Sequence, residues 1–324
     1  MNWGSDITII TAFDTGFFPG FCGLYNSARS NEFEGSFLCL NSDIIDDKFS
    51  ISSFVNTEFR QFKVNIHDYS YYVNWLIGLK DLPVGNYLYL DCDTIIERPL
   101  GFHLELIKEA PIVSTESGRK YDPFDVLTAR QCIETGLSTD LKAFPYINDG
   151  FFAFQIPRDK HLIEQWINLS LKHLKGVFNA TENPEWFFAE QDILNILLRQ
   201  PNQKVFSISP NQIEIDDIDQ RFRSRAFPWK NQSEGLPKDK LKYIIHGAGL
   251  RRPWINDEKG LKYIFEKYAL STIYRRLRKK TTPYERAWAY YACSNKMPIN
   301  KGLWEKHFNI NFNSFTWKRA FNLK

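Results

Sequence analysis

The sequence lacks most features that mark membrane, secreted or disordered proteins. Its 324 residues include five cysteines, an odd number without a CxxC pair, which argues against a disulfide framework or a structural zinc site. No apolar run approaches the roughly 20 residues that span a bilayer. The first residues show no basic segment followed by a small-residue cleavage site, so we expect no signal peptide and a cytoplasmic location. A hydrophobic content of 43% without low-complexity tracts predicts a globular protein with a sizeable core.

Net charge is small but unevenly distributed. The whole chain carries +3, whereas the segment from Ser271 onward has twelve Lys and Arg against two Glu and so carries +10. This shift predicts a main domain over 1–270 and a small helical, basic and aromatic extension over 271–324. Such an extension suits peripheral contact with the inner face of an anionic membrane, or a small helical subdomain with a basic face. No recognisable nucleic-acid-binding module accompanies the charge, so no nucleic-acid partner is expected.

Apolar runs and helical spacings alternate along the chain. The sequence predicts strands at Asp6–Asp14, Gly35–Ser42, Phe62–Asp68, Tyr87–Ile96, Ala110–Ser117, Asp149–Ile156 and Lys242–Gly249. It predicts helices around Gly20–Ser30, Tyr71–Lys80, His161–Leu174, Trp186–Gln200 and Lys259–Lys280. This alternation indicates an α/β fold, a Rossmann-like mixed and mostly parallel sheet flanked by helices. Ligands of such sheets bind beyond the carboxyl ends of the strands.

Two aspartates end the apolar run YLYLDCDTII, which spans Tyr87–Ile96. Because alternate residues of a strand point to the same side, we expect Asp91 and Asp93 to converge while Cys92 points elsewhere. Neighbouring carboxylates repel each other unless a positive charge lies between them. The pair is therefore interpreted as metal ligands, a catalytic carboxylate pair or a strand-end turn. Its position at the carboxyl end of a strand favours a functional role.

Two enzyme chemistries use an aspartate pair after a buried strand. In nucleotide-sugar glycosyltransferases, such a pair holds Mn²⁺ or Mg²⁺ against a diphosphate. In haloacid-dehalogenase-like phosphatases, Asp91 would be the nucleophile and Asp93 the general acid, with Asp216 and Asp217 as a later acidic pair. The phosphatase signature normally lies on the first strand, whereas three strands are expected before this one.

The segment HGAGLRRPW, His246–Trp254, adds groups suited to a metal and a diphosphate. A histidine at a strand end can bind Mn²⁺ beside carboxylates. Gly247 and Gly249 would let backbone N–H groups approach phosphates closely, and Arg251 or Arg252 can bind phosphate charge. Because this segment accompanies the aspartate pair, a metal and diphosphate site is favoured over a glycine-rich turn with solvated basic residues.

Together these segments resemble the family 8 glycosyltransferases, the group that includes glycogenin and the lipopolysaccharide galactosyltransferases. His246–Trp254 resembles the family's HxxGxxKPW signature, and Tyr87–Ile96 resembles its apolar strand with a DxD motif. Tyr146–Phe154 is similar to its Asn-Ser/Ala-Gly strand, Ala189–Asn195 to its Asp-Gln-Asp helix start, and Ile7–Arg29 to its nucleotide-binding strand, loop and helix. The five blocks occur in the family's order. The resemblance implies a GT-A fold.

The resemblance also implies that the chain binds a UDP-sugar through a metal ion. Asp91, Asp93 and His246 match the family's ligands of Mn²⁺ (or Mg²⁺). Ala12 and Asp14 match positions that contact the uracil base. The implied partners are a UDP-sugar donor and a glycan or lipid-linked acceptor. The implied reaction is transfer of a hexose between them with retention of configuration.

Other matched positions are implied to surround the diphosphate and the sugar of the donor. Gly249 and Arg252 match the family's diphosphate-binding Gly and Lys. Asn148, Gln191 and Asp192 match positions that line the donor sugar, with Gln191 beneath the anomeric carbon in retaining members.

The sequence departs from the family pattern at several of these positions. Arg252 replaces Lys, Asp149 replaces a small residue and adds a carboxylate beside the sugar, and Glu190 replaces the first Asp of Asp-Gln-Asp. Val73 or Asn74 stands where the family usually has a basic residue. These differences affect the choice of donor sugar rather than the fold.

The residues are compatible with more than one mechanism. Retention implies attack from the face of the leaving phosphate, whereas inversion would require a carboxylate as general base. Asp149, Glu190 and Asp192 are the candidates for that base. Two alternatives to a glycosyltransferase stay open: the phosphatase that uses Asp91 and Asp93, and a sugar-nucleotide-binding module without catalysis.

Overall fold

The part of the chain that the structure describes contains nine strands, six α-helices and several short 3₁₀ helices. The computed structural model describes residues 2–42, 54–62, 68–115, 126–144, 146–177, 186, 189–208, 243–247, 284, 288 and 291. The strands are β1 (Ile7–Phe13), β2 (Ser36–Asn41), β3 (Thr57–Gln61), β4 (Gly85–Leu90), β5 (Thr94–Ile96), β6 (Ile112–Thr115), β7 (Ile147–Ile156), β8 (Phe206–Ile208) and β9 (Ile244–His246). The helices are α1 (Phe18–Ser30), α2 (Tyr71–Asn74), α3 (Gly101–Leu104), α4 (Val126–Thr135), α5 (Lys160–His173) and α6 (Glu190–Leu198).

Seven of these strands form one mixed sheet in the order β3-β2-β1-β4-β7-β6-β8. The pairs β3/β2, β2/β1, β1/β4 and β6/β8 are parallel, whereas β7 runs antiparallel to both of its neighbours. The remaining two strands, β5 and β9, form a separate antiparallel pair. The predicted mixed, mostly parallel sheet is therefore confirmed.

The large sheet separates two hydrophobic cores, because alternate residues of each strand point to opposite faces. Ile9 of β1 and Leu88 of β4 join one core, which includes α1. Their chain neighbours Ile10 and Tyr89 join the other core, which includes α5 and α6. Burial of an apolar side chain of this size contributes about 1.5–3 kcal/mol. The two packed faces make the sheet a firm support for side chains at its carboxyl edge.

The prediction of one continuous strand over Tyr87–Ile96 is wrong in its middle. Strand β4 ends at Leu90, and the chain re-enters a strand at Thr94, where β5 belongs to the two-stranded sheet. Asp91 and Asp93 lie in the turn between them, in which Thr94 N donates to Asp91 O at 3.1 Å. The two aspartates therefore converge because the chain turns between two sheets, not because one strand places them on the same side.

Two other predicted elements differ from the structure. The helix predicted over Tyr71–Lys80 is a single α-helical turn followed by a 3₁₀ helix over Trp75–Leu79. The third strand lies at Thr57–Gln61, ahead of the predicted Phe62–Asp68, of which residues 63–67 lie outside the described residues. Strand β3 is at the edge of the sheet and mostly polar, so its sequence carries little of the apolar signal that predicts a strand.

The division of the chain near residue 270 stays a prediction. Of the extension 271–324, the structure describes Tyr284, Trp288 and Tyr291, and all three are buried in the core that contains α1. The helix predicted over Lys259–Lys280 lies outside the described residues. None of the helices in the described part of the chain is long and apolar enough to cross a membrane.

Candidate metal and sugar-nucleotide site

Three side chains predicted to bind metal meet beyond the carboxyl end of β4. His246 Nε2 lies 3.1 Å from Asp91 Oδ2 and 3.1 Å from Asp93 Oδ1. One potential ligand atom of each residue lies within 4.8 Å of the other two. The side chains of Asp93 and His246 are almost fully buried, whereas that of Asp91 is 35% exposed. The group can therefore hold a metal ion that is accessible from the side of Asp91.

The two-stranded sheet brings the histidine to the aspartates. Strand β9 pairs with β5 so that His246 lies opposite Thr94, the residue that follows the aspartate turn. Gly247 N then donates to Asp93 O at 2.7 Å. A ligand that is 153 residues from Asp93 in the sequence is thus fixed beside it by backbone pairing.

The strand that precedes the turn orients Asp91. The Tyr89 hydroxyl donates to Asp91 Oδ1 at 2.9 Å, and Asp91 N donates to Gly150 O at 3.2 Å. The Tyr89 ring stacks on Trp75 with a distance of 4.2 Å between ring centroids. Because Tyr89 engages Oδ1, the other oxygen of Asp91 is turned toward His246.

Gly150 permits the close approach of three side chains that were predicted to belong to the site. A Cβ atom at this position would lie 2.7 Å from both Asp91 Oδ2 and Asn148 Oδ1, and 2.8 Å from His246 Cε1. Carbon and oxygen atoms do not approach this closely without a bond, so any other residue would displace part of the group. Gly150 lies where the pairing of β7 with β6 is irregular, and such bulges redirect side chains next to active sites. The Asn148 side chain is thereby brought close to Asp91 and His246.

The negative charges of the aspartates determine the state of the histidine in the metal-free protein. Burial lowers the pKa of the His246 imidazole, but the charges of Asp93 and Asp91 and the hydrogen bonds to both outweigh burial and raise the pKa to about 10. Protonated His246 is therefore the counter-ion of the carboxylates when no metal is bound. Two carboxylates and an imidazole are also a donor set that suits Mn²⁺, and a divalent cation would replace that positive charge.

A chain of hydrogen bonds connects α6 to β7 and fixes Gln191. Gln191 Nε2 donates to the Tyr146 hydroxyl at 2.9 Å, and that hydroxyl donates to Asp192 Oδ1 at 2.7 Å. Asp149 N donates to Gln191 Oε1 at 3.2 Å, so both ends of the glutamine amide are held. The Asn195 side chain adds two hydrogen bonds to the backbone of β7. The predicted sugar-site residues of the two elements therefore form one rigid unit.

Glu190 is a buried carboxyl group at the start of α6. Its side chain is enclosed, and among the described residues its Oε2 atom has no hydrogen-bond partner. Burial raises the pKa of Glu190 well above its usual value, and the charges of Asp149, Asp91 and Asp192 raise it further. Ala189, which precedes it, has a φ of 49° that strains a residue with a Cβ atom. A buried acid and a strained backbone both cost stability, and both are typical of functional sites.

Replacing Glu190 with Gln is expected to stabilise the metal-free protein, and more so at pH 8 than at pH 5. With a raised pKa, the folded state retains a proton that the unfolded state loses above its ordinary pKa, so the free energy of unfolding falls as the pH rises. A glutamine side chain does not titrate, so the variant lacks this loss of stability. Urea unfolding in EDTA at both pH values measures the effect, with the exposed Glu105→Gln as control. A gain in the free energy of unfolding that is equal at pH 5 and pH 8 would contradict the raised pKa of Glu190.

Ala12 and Asp14, predicted to contact uracil, lie at the same edge of the sheet as the aspartates. Strands β1 and β4 are parallel with Ile10 opposite Tyr89, which places Ala12 level with the start of the aspartate turn. Asp14 Oδ1 accepts a hydrogen bond from Phe17 N at 2.9 Å and thereby caps the short 3₁₀ helix before α1. The contact of both residues with a base stays a prediction.

Two predicted diphosphate-binding residues, Gly249 and Arg252, lie outside the described residues. Val73 and Asn74 stand where a basic residue was expected from the family pattern, and both are fully buried. The Asn74 side chain donates to two backbone carbonyls of the preceding residues. These two positions therefore support the fold and supply no charge to a ligand.

Three residues of the site have no sequence signal of their own. Tyr89 has the pattern of an ordinary buried strand residue, and its bond to Asp91 is visible only in the structure. Tyr146 and Gly150 fall inside the block Tyr146–Phe154, and the resemblance of that block is the single indication that they belong to the site.

A separate cavity of about 390 Å³ lies at the other end of the parallel strands, where the strands begin. It is lined by the first residues of several parallel strands, including Thr8, Ser36 and Thr57, and by the Glu58–Arg60 ion pair. None of the predicted site residues lines it. The chemistry-bearing residues are thus concentrated at the carboxyl edge, as expected for a sheet of this topology.

Solved structures of glycosyltransferases share this fold. The bifunctional glycosyltransferase WbbM matches 94% of this chain with 12% identity and a TM-score of 0.56, and the apo form of GlyE from Streptococcus pneumoniae matches 94% with 16% identity and a TM-score of 0.53. The chain covers 52% of WbbM and 63% of GlyE. The galactosyltransferase LgtC, solved with donor and acceptor sugar analogues, matches 77% of the chain with 17% identity and a TM-score of 0.45. No protein-family model and no curated protein matches the sequence. The GT-A fold implied by the sequence blocks is confirmed.

Proposed function

We propose that the protein is a metal-dependent glycosyltransferase that moves a hexose from a UDP-sugar to a glycan or lipid-linked acceptor. The observation that carries this proposal is the convergence of Asp91, Asp93 and His246 at the carboxyl edge of a glycosyltransferase-type sheet. The chemistry of the three ligands favours Mn²⁺ or Mg²⁺. WbbM and GlyE are glycosyltransferases of the same fold, which supports sugar transfer as the reaction class.

The described residues suggest how the donor would be held. A bound divalent cation would neutralise the charge that develops on the diphosphate as the sugar leaves. Asp91 faces the open side of the metal-binding group, and Ala12 and Asp14 lie along the same edge for the nucleoside. Gly249 and Arg252, a few residues beyond His246 in the sequence, are proposed to contact the diphosphate.

The carboxylates around Gln191 differ in what they can do. Asp192 accepts from Tyr146 and is buried, so we assign it a role in holding the glutamine rather than in proton transfer. Glu190 is buried, with a pKa that disfavours the charged form. Asp149 is the most exposed of these three carboxyl groups, and it would be the general base if the reaction inverts configuration. With retention, which the family resemblance implies, Gln191 would line the reacting face of the sugar.

The phosphatase alternative fits the geometry less well. A general acid must be free to protonate a leaving group, whereas Asp93 is buried and engaged by His246. The acidic pair Asp216 and Asp217, which that chemistry would also use, lies outside the described residues. A sugar-nucleotide-binding module without catalysis is the second alternative, and it predicts the same metal-dependent binding without turnover.

A donor screen tests the proposal. Release of UDP from UDP-glucose, UDP-galactose and UDP-N-acetylglucosamine would be measured with Mn²⁺, with Mg²⁺ and with EDTA. We expect release from at least one donor, dependent on metal and faster with the correct acceptor. Hydrolysis of p-nitrophenyl phosphate without UDP release would favour the phosphatase. UDP binding without turnover of any donor would favour the non-catalytic module.

Replacing Tyr146 with Phe is expected to lower the rate of sugar transfer about tenfold and to destabilise the protein by about 1–3 kcal/mol. The change removes the hydroxyl that accepts from Gln191 and donates to Asp192, and it leaves both groups buried without that partner. Turnover with the preferred donor and urea unfolding measure the two effects. Tyr87→Phe, which removes a single hydrogen bond from the hydroxyl to the backbone carbonyl of Pro83, just before β4, is the matched control. Unchanged turnover in Tyr146→Phe would show that the glutamine needs no such support.

Peripheral membrane contact through 271–324 is a further part of the proposal. Tyr284, Trp288 and Tyr291 are buried, so any such contact has to use the other basic and aromatic residues of the extension. Binding of the full chain to anionic and neutral liposomes would test it, and equal binding to both would contradict an electrostatic attachment.

A further inference from the structure

Three aromatic residues from the carboxyl-terminal part of the chain form one apolar face. Tyr284, Trp288 and Tyr291 are helical and spaced by four and three residues, which places them on the same side of a helix. All three are buried. Trp288 Nε1 donates to Pro19 O at 2.8 Å, and the Asn26 side chain donates to Tyr291 O at 3.2 Å. Trp288 and Tyr291 are therefore hydrogen-bonded to α1.

This aromatic face touches the strands that carry the metal-binding group. A Cβ atom at Gly23 of α1 would lie 2.7 Å from Trp288 Cδ1 and 2.9 Å from Ile95 Cδ1, so the indole and the Ile95 side chain of β5 both pack against α1 at this glycine. A Cβ atom at Gly247 would lie 2.8 Å from Tyr284 Cε1. The Tyr284 ring thus lies directly against the backbone of the residue that follows His246.

The position of His246 depends on a small element. Strands β5 and β9 pair with each other over three residues each and form no ladder with the large sheet. A two-stranded ribbon of this length is not stable without packing partners. Among the described residues, α1 packs on β5, Tyr284 lies against the residue that follows β9, and the isoleucines of both strands join the core that contains α1.

We infer that Tyr284 is a positioning residue for the metal ligand His246, and that the carboxyl-terminal segment is part of the support of the metal site rather than a separate appendage. The inference rests on the proposed metal-dependent function. Tyr284 acts through backbone geometry: its ring packs directly against Gly247, whose N–H donates to Asp93 O at 2.7 Å, and so restricts the position of the residue that follows His246. Groups that orient a metal ligand are typically worth 10–100-fold in metal affinity.

Mn²⁺ titration of the full chain, followed by the EPR signal of free Mn²⁺, tests the inference without a turnover assay. Tyr284→Ala is expected to weaken binding about tenfold, and Tyr284→Phe, which keeps the ring, to bind within about twofold of wild type. Tyr291→Ala is the control, because it loosens the same segment at a point away from Gly247. It is expected to lower the melting temperature but not the affinity for Mn²⁺. If Tyr284→Ala does not fold, Tyr284→Leu, which retains more of the buried volume, takes its place.

A double-mutant cycle separates positioning from general stability. Gly247→Ala alone is expected to weaken Mn²⁺ binding at least about tenfold, because its methyl group meets the tyrosine ring. Combined with Tyr284→Ala, the same change is expected to add little, because the ring is gone. If the wild type binds Mn²⁺ and Tyr284→Ala binds it with the same affinity, this inference is overturned and the proposed function is not. An equal loss in Tyr291→Ala would also overturn it. Absence of Mn²⁺ binding by the wild type would overturn the proposed function as well.

Discussion

Replacing Asp93 with Asn is expected to lower Mn²⁺-dependent release of UDP from the preferred UDP-sugar by about 10³-fold. The substitution keeps the shape of the side chain and removes a buried negative charge whose oxygen lies 3.1 Å from His246 Nε2. Without that charge, the site would lose the cation that stabilises the leaving diphosphate, a contribution of several kcal/mol. Initial rates at saturating donor, with Mn²⁺ varied, measure the effect.

The control for this experiment is Asp81→Asn, the same chemical change at an exposed position away from the site. Its rate should equal that of the wild type. Circular dichroism of Asp93→Asn should show a folded protein, because a buried imidazole can pass to its neutral form when a counter-ion is lost. A folded Asp93→Asn variant with wild-type turnover would exclude Asp93 as a ligand of the catalytic metal.

Replacing Gly150 with Ala is expected to weaken Mn²⁺ binding by about 100-fold and to lower turnover accordingly. The added methyl group would meet Asp91 Oδ2 and Asn148 Oδ1 at 2.7 Å, so at least one of them has to move. A displaced ligand costs metal affinity even when its chemical identity is unchanged. Mn²⁺ titration and donor turnover measure the two effects.

Gly85→Ala is the matched control, because Gly85 also lies in a strand of the sheet and its added Cβ would have no neighbour closer than 3.4 Å. That variant should bind Mn²⁺ like the wild type. Normal Mn²⁺ binding by Gly150→Ala would show that metal binding does not depend on the close approach of the three side chains around Gly150.

The three candidate metal ligands were predictable because metal coordination limits the residue types. Asp91, Asp93 and His246 are a carboxylate pair and an imidazole at strand ends, and metal coordination accepts few other side chains. The ordered blocks also indicated the fold class, which the structure bears out. Strands β1, β2 and β7 and helices α1 and α5 lie close to their predicted positions, because they are long and strongly apolar on one or both faces.

The route by which Asp91 and Asp93 converge was not predictable from local sequence. The residues on both sides of the aspartates have strand character, so the local pattern does not show that β4 and β5 belong to two different sheets. The break depends on β9, whose pairing with β5 joins residues about 150 positions apart. Tertiary pairing of this kind overrides the periodicity on which the strand prediction rested.

The supporting residues escaped prediction for a similar reason. Tyr146 holds Gln191, which is 45 positions away, and Tyr284 contacts Gly247, which is 37 positions away. In the sequence, both tyrosines look like ordinary core residues. The basic and aromatic extension was predicted to contact a membrane or to form a small helical subdomain, whereas its three described residues lie in the core that contains α1.

The dependence of UDP binding on metal tests the central claim most directly. Isothermal titration of UDP into the wild-type protein would be carried out with Mn²⁺ and with EDTA, and repeated with Asp93→Asn. The account predicts tight binding with Mn²⁺, at least about 10-fold weaker binding in EDTA, and no response to Mn²⁺ in the variant. UDP affinity that is the same with Mn²⁺ and with EDTA in the wild type would contradict a metal held by Asp91, Asp93 and His246 as the anchor of the diphosphate.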